Sequence, residues 1–565
     1  MRARLQTLGP WPLAVLSSSA TLMMALGAPP GGPTWLIWFG FVPLTLVARV
    51  TRDRRPRQVF ALGWVGGLCT GLVGFPWIAE TLERFGGLPA AVAYLGLGLF
   101  AAWTAVPYGL WAWGVSRGPE HGAAAVAWPA VLWGALAFSW PSLFPYTVVI
   151  GLAESPSWIQ VAELGGLTLV VGQVVVAGVL LADAILGGTR RQRLLRVVAA
   201  VAIPLASAGL GQLRLQQIDA EQHDARTVRV GIVQPNTALA APDLGDKMLR
   251  LRAMSQRAKR DGAQWLVWPE AGAFPFRTAR PFLRDFADPF RSVLRGHGLP
   301  TVFGAGSYRA DVPWEYNTVY AMAADGTVVG SFDKVILVPF GEYVPVVDPQ
   351  WAISQVPSMS HNLAGDGPAR FVLQPAPGRD GAPTEPIALG PLICYEDIFP
   401  GFARAVATQP EGIELFVNVT IDTWFGDTAE PWEHLALAQF RSVEHRVPMV
   451  RSVSAGVSSV VDAGGRLVAH IPARGPTVER PVMPEVLVHD VALPRNTARR
   501  PTVFARFGWL LPWLCVGVVG VVVLAAVRRN LYSRRAKAAY EPQGSGHARS
   551  DEGADPVDRS SPSQE

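Results

Sequence analysis

Glu270, Lys334 and Cys394 lie 64 and 60 residues apart and bring together the group types that nucleophilic attack on a carbonyl requires. A thiol nucleophile needs a base to take its proton, and a carboxylate shielded from water can act as one. It also needs a fixed cation or dipole where negative charge develops on oxygen, and a lysine ammonium can supply it. Cys394 follows the apolar run 387–393 and precedes Tyr395, Glu396 and Asp397, a pattern that predicts a strand end feeding a loop. Taken alone it reads more readily as a buried core cysteine. Two further segments weigh against that. VWPEAG sets Glu270 just past the strand-like QWLVW, and FDKVILVPFGEYVP carries Lys334 and Glu342 around an irregular stretch with Pro339 and Gly341. The remaining cysteines, Cys69 and Cys515, sit in apolar runs, where a thiol is usually a small packing residue. Three cysteines with no CxxC pair build neither a disulfide framework nor a cysteine zinc site.

The elements that must position these groups belong to two kinds of chain. Of 565 residues only 16% are charged, against about 25% in ordinary soluble domains, while half are hydrophobic and 20 are Trp. This composition excludes a disordered chain and a purely soluble enzyme, and a net charge of +5 is too small to point to nucleic acid. Apolar runs at 11–28, 35–47, 60–78, 88–115, 123–140, 167–186, 195–213 and 507–527 read as about eight membrane spans, the second short and the fourth long. Arg-rich breaks follow alternate runs: Arg2 and Arg4 precede the first, and Arg49 to Arg57, Arg117, Arg190 to Arg196 and Arg528 to Lys537 follow later ones. Short cytoplasmic loops are enriched in Arg and Lys, so the alternation predicts both termini in the cytoplasm and the long segment before the last run outside. The first run could instead be a cleaved signal peptide, which leaves that segment on the same side.

Between 228 and 493 the composition is that of a globular domain. Strand-like runs (VRVGIV at 228, QWLVW at 264, PTVFGAGSY at 300, NTVYAMA at 317, TVVGSFD at 327, ALGPLICY at 388, ELFVNV at 414, PMVRSV at 448, SSVVD at 458) alternate with helical stretches at 247–260, 281–295, 400–408 and 430–445. Turns at 324–326 and 462–465 place glycines where hairpins need positive φ. The pattern predicts an α/β sandwich of two sheets flanked by helices. Residues 541–565 are rich in Ser, Asp, Gly and Pro and are expected to form a disordered cytoplasmic tail.

WPE, the Lys of FDK and CYE, in that order, resemble the nitrilase superfamily of carbon–nitrogen hydrolases. KVILVPFGEYVP, LICYEDIF, NVTIDTWFGDTAEPWEHLALAQFRSVEHRVPMVRS and QVAELGG resemble the apolipoprotein N-acyltransferase family over residues 10 to 530. The resemblance implies a helical membrane bundle (1–213), an extracytoplasmic nitrilase-like four-layer αββα domain (228–493) and one further span (507–527) in a bacterial inner membrane. It implies Glu270 as general base, Lys334 as electrostatic stabiliser and Cys394 as nucleophile. Glu342, Tyr395 and Glu396 match supporting positions: Glu342 is expected to orient Lys334 and Glu396 to shape the field around it, with structural salt bridging as the alternative. Trp424 and Phe425 match an apolar stretch near the site and read nearly as well as core packing. The implied reaction moves an acyl chain from a phospholipid, through a Cys394 thioester, to the N-terminal amine of a diacylglyceryl-cysteine lipoprotein, with no cofactor and no nucleic acid partner.

Some positions depart from the family's pattern. Ile421 stands where Asn is common, Val453, Ser454 and Ala455 stand where polar residues are common, and 238–246 lacks an expected Trp. His434 and His445 fall on one helix, yet no third ligand accompanies them, so no metal site is expected. Two other readings share these residues: a membrane-tethered amidase that releases its thioester to water, and a non-catalytic lipoprotein-binding protein. Glu80, Glu83 and Arg84 are expected in an outer loop lining the lipid's access route.

Overall fold

The computed structural model describes residues 1–144, 148–237, 244–270, 277–280, 295–355, 360–379, 381–476, 482–493 and 501–539. The helix expected at 281–295, except its last residue, most of 238–246, and the tail at 541–565 lie outside them. Contacts gather residues 1–516 into one unit; residues 517–565 form a second, whose described part continues the helix Leu511–Ala539.

Every apolar run is helical. Among the described residues, five helices are long and apolar enough to cross a membrane: Ala90–Arg117, Gly122–Ser139, Ala162–Leu186, Arg190–His223 and Gly508–Tyr532. Pro56–Gly74 and Trp77–Arg84, bent by 53°, make a sixth span if taken together, and Pro10–Leu26 and Thr34–Val50 are shorter apolar helices. The bend falls at Phe75-Pro76, where proline cannot continue the helix. Glu80, Glu83 and Arg84 therefore lie on a helix rather than in the expected loop. Close packing in the bundle uses missing side chains. A Cβ at Gly63, Gly67 or Gly71 would come within 2.5–2.9 Å of Tyr108, Ala105 or Ala101, so the backbones of two helices approach closely along this row.

Arg190–His223 is 34 residues long, about 51 Å at 1.5 Å per residue. It starts with a capping box, in which Thr189 Oγ1 accepts from Gln192 N and Gln192 Oε1 accepts from Thr189 N. It runs ten residues past the end expected from apolarity, and its polar last turns reach the globular domain: Arg214 pairs with Glu163 at 2.9 Å, and Arg446 grips the same carboxylate at 2.6 Å.

Fourteen described strands form two sheets: β1 (Arg226–Gln234), β2 (Trp265–Val267), β3 (Arg277–Arg280), β4 (Thr301–Arg309), β5 (Glu315–Met322), β6 (Val328–Asp333), β7 (Asn362–Leu363), β8 (Phe371–Leu373), β9 (Ile387–Ile393), β10 (Leu415–Thr420), β11 (Met449–Val453), β12 (Ser459–Val461), β13 (Leu467–His470) and β14 (Glu485–Leu493). One sheet has the order β14-β1-β2-β4-β5-β6, with β3 against β4 and β7 against β5; the other is β13-β12-β11-β10-β9-β8. Alternation along the strands makes the layers. Val228, Val230 and Ile232 of β1 meet Leu415, Val417 and Val419 of β10 in the core between the sheets. Val233 and Phe303 instead face Met248, Leu251 and Met254 of the helix Leu244–Arg260. Leu392 and Phe416 face Val406 of Pro400–Ala407 and Leu435 and Ala438 of Glu430–His445. The result is the four-layer helix–sheet–sheet–helix arrangement expected.

The bundle and the sandwich are stitched at a second kink. Gly165 and Gly166 leave helical geometry inside Ala162–Leu186, and Gly166 has φ +63° with Phe504 only 2.5 Å from where a Cβ would stand. The resulting free amide of Leu167 donates to Glu444 Oε1 at 3.2 Å, which anchors this span on the last turn of Glu430–His445.

Candidate active site

Three strand ends present the predicted residues. Glu270 follows β2, Lys334 follows β6, and Cys394 opens the single-turn helix Cys394–Ile398 directly after β9. The Lys334 ammonium is buried with two carboxylates beside it: Glu342 at 2.7 Å and Glu270 at 3.5 Å. Asn317, on β5, donates through Nδ2 to Glu270 at 2.5 Å and to Glu342 at 3.2 Å, tying the two acids together. Glu342 also accepts from Val338 N at 2.9 Å, so the Pro339–Gly341 turn folds back on its own acid and carries it to the lysine.

Glu396 feels the Lys334 charge, and it also ties the backbone together. It is fully buried, and its carboxylate accepts from Val335 N at 2.6 Å, Ile336 N at 3.2 Å and Ile393 N at 2.8 Å. It thus clamps the residues just after Lys334 to the residue just before Cys394 and sets the register between ammonium and thiol. Burial pushes its pKa up to about 8, against the pull of these amides.

Cys394 has φ +49°, a left-handed conformation unusual for a residue with a Cβ, at the strand-to-helix turn. Its carbonyl accepts from Asn418 Nδ2 at 3.2 Å. Burial, with the charge of Glu270, holds the thiol well above its ordinary pKa, while Lys334 pulls it down. Burial likewise raises Glu270, partly offset by Lys334. Burial works against the Lys334 ammonium, but Glu270 and Glu342 outweigh it and its pKa stays above the usual value. The raised Glu270 carboxyl is the stronger base for its burial, the raised Cys394 thiol is the weaker acid, and Lys334 is the cation that offsets both shifts.

Cys394 as a residue is half-buried and lines a cavity of about 60 Å³. Phe75, Trp77 and Phe144 from the membrane-helix part line it, together with Val338, Tyr395 and Phe425. Tyr395 donates its hydroxyl to the Leu143 carbonyl and packs on Phe144 at 5.8 Å, so it holds the wall of this pocket. Phe425 meets Trp77 edge-on at 5.2 Å, whereas Trp424 packs on Phe85 at 3.7 Å and is not part of the thiol pocket wall. A second, larger cavity of about 710 Å³ shares Phe75 and Ile398 with the first and is walled mainly by apolar residues such as Tyr108, Trp133, Phe138 and Phe402.

His434 and His445 do not converge. His434 lies between Asp422 (3.1 Å) and Asp397 (2.9 Å), and His445 packs between the rings of Phe416 and Phe504. Asp422, Glu430 and His434 do bring ligand-type atoms within 4.8 Å of one another. Sequence reasoning missed this network and missed Asn317; the only signal for Asn317 was a polar residue opening the strand-like run NTVYAMA.

Residues 229–497 match the family model for carbon-nitrogen hydrolases, and residues 20–180 match that for the apolipoprotein N-acyltransferase N-terminal domain. Relatives named apolipoprotein N-acyltransferase include one from Geobacter metallireducens, 29% identical, with 92% of this chain and 95% of the relative covered. Another, from Allorhizobium ampelinum, is 30% identical, with 83% and 89% covered. A third, from Rhodopseudomonas palustris, is 33% identical, with 69% and 70% covered. Among solved structures, an amidase from Nesterenkonia sp. AN1 is 19% identical, with 50% of this chain and 93% of that one covered and a TM-score of 0.34.

Proposed function

Because the chain belongs to the apolipoprotein N-acyltransferase family, we propose that it acylates lipoprotein N-termini through a Cys394 thioester, with a membrane phospholipid as acyl donor. Glu270 takes the thiol proton and the thiolate attacks an ester carbonyl of the phospholipid. Lys334 stabilises the oxyanion, a contribution worth several kcal/mol in water-excluded sites. The lysophospholipid leaves with the proton from Glu270. The α-amine of a diacylglyceryl-cysteine then attacks the thioester, and an N-acylated lipoprotein leaves. Glu342, Asn317 and Glu396 hold Lys334 and Glu270 in place.

The observation that carries this reading is the wall of the thiol pocket. Phe75, Trp77 and Phe144 bring the helical part of the chain to the nucleophile, and the adjoining apolar cavity has a volume in the range of about 300–1,000 Å³ typical of ligand sites. Each buried CH₂ is worth about 0.8 kcal/mol, so an acyl chain stays in an apolar environment and the thiol must be brought to it. A small amide, the substrate of the amidase reading, has no use for that wall. Loop charge supports residues 228–493 as an extracytoplasmic catalytic domain, 1–213 and 507–527 as its membrane anchors, and both termini as cytoplasmic.

The test supplies purified protein with chain-labelled phospholipid and a diacylglyceryl-cysteine lipopeptide. A lipopeptide heavier by one labelled acyl chain is expected; free labelled fatty acid without acylated peptide would overturn the reading.

A further inference from the structure

The pocket that Cys394 faces also holds ionisable groups outside the Glu270–Lys334–Glu342 cluster: Glu430, Glu433 and His434. His434 is held at both ring nitrogens, by Asp422 and Asp397, and Arg451 sits 2.9 Å from Asp397 and 3.8 Å from Asp422. Two carboxylates and two cations balance, and the two acids outweigh burial to raise His434 to about 10. With both nitrogens engaged, His434 has no lone pair to offer a metal.

Glu430 stands outside this balance. It is 6% exposed, its Oε1 lies 4.0 Å from His434 Nδ1, and its Oε2 is buried without a hydrogen-bond partner. The neighbouring Glu433 differs: its Oε2 accepts from Trp77 Nε1 at 3.1 Å. A buried acceptor left unpaired costs about 1–3 kcal/mol, so the free oxygen of Glu430, on the wall of a cavity that also contains the thiol, is built for a donor that arrives with substrate. Burial and the charges of Asp422 and Glu433 raise its pKa, and His434 and Arg451 oppose them. An ammonium arriving at that oxygen adds a cation that, like His434 and Arg451, works against the burial shift and favours the carboxylate able to take its proton.

We infer that Glu430 receives the α-ammonium of the acceptor lipoprotein beside the Cys394 thioester and takes one of its protons; this rests on the acyl-transfer reading above. The Glu430 carboxylate accepts the first proton and becomes the neutral acid. The free amine then forms the N–C bond, the C–S bond breaks with its electron pair going to sulfur, and a second amine proton passes through Glu270 to the thiolate. Three N–H protons become one on the amide, one on Cys394 and one on Glu430, which returns to solvent before the next cycle.

The experiment separates the half-reactions. Full-length enzyme is charged from phospholipid–detergent micelles, freed of donor, and chased with either diacylglyceryl-cysteine lipopeptide or hydroxylamine. With Glu430→Gln, discharge to lipopeptide near neutral pH should fall by at least about tenfold, the equivalent of losing a charged hydrogen bond. The deficit should close toward pH 9, above the α-amine pKa of about 7.7–8.0. Discharge to hydroxylamine should match wild type, and Glu430→Asp should recover part of the lipopeptide rate. Wild-type discharge to lipopeptide by E430Q, or equal slowing with both nucleophiles, would overturn the inference. Failure of the wild-type enzyme to become charged would instead refute the proposed function.

Discussion

Glu342→Gln tests how the buried ammonium is held. Both Glu342 oxygens lie 2.7 Å from the Lys334 ammonium; Oε1 also accepts from Asn317 Nδ2 at 3.2 Å and Oε2 from Val338 N at 2.9 Å. Glutamine keeps the size but turns one of the two oxygens beside Lys334 into an amide donor and removes the charge, so the ammonium loses a charged acceptor whichever way the amide points. A hydrogen bond to a charged group contributes about 1.5–3 kcal/mol, which corresponds to roughly ten- to a hundredfold in the rate of thioester formation. A second signature follows from charge. Glu342 raises the pKa of Glu270, and the base must be deprotonated to act, so removing that charge should move the acid limb of the acylation rate to lower pH. Stopped acylation time courses over a pH series, read by intact mass, measure both effects, with the melting temperature in detergent reporting the fold. An E342Q enzyme that acylates at the wild-type rate with an unmoved acid limb would refute this view of Lys334.

Other substitutions give contrasting outcomes. Asn317→Ala removes a donor that lowers the pKa of Glu270, so its acid limb should shift to higher pH, opposite to E342Q, in the same assay. Glu433 is driven to about 8 by burial, so the folded state holds a proton that an unfolded carboxyl releases near pH 4.5. The folded chain therefore loses stability as pH rises between these values, and Glu433→Gln should flatten the fall in melting temperature across that window. Gly166→Ala places a Cβ against Phe504 at a positive φ and should destabilise the chain by about 1–3 kcal/mol, seen as a lower melting temperature.

What could be read from the sequence was whatever is encoded locally. Long apolar runs mark the helices because a helix satisfies its own backbone in hydrocarbon, and short β-rich runs marked β1, β4, β5, β9 and β10. The positions of Glu270, Lys334 and Cys394 were legible because each stands in a motif with its own neighbours. Elements defined by distant partners escaped. The pairing of β14 with β1 joins Glu485–Leu493 to Arg226–Gln234, and neither segment announces the other. The end of Arg190–His223 carries only Leu215 and Ile218 as large apolar residues, and these pack against Ala463 of the globular domain, a partner far away in sequence. Glu396 read as a charge near the site; its three bonds to backbone amides came only with the fold. Glu430 carried no signal beyond its place in the helical stretch 430–445; only the fold brings it to the cavity that Cys394 also lines.

All of this chemistry runs through the sulfur of Cys394, and peptide mapping of enzyme incubated with phospholipid addresses it most directly. The expected result is one fatty acyl group on the Cys394 peptide, released by hydroxylamine and missing from Cys394→Ala. An acyl group carried by a different residue, or an unmodified Cys394 in an enzyme that still acylates lipopeptide, would contradict it.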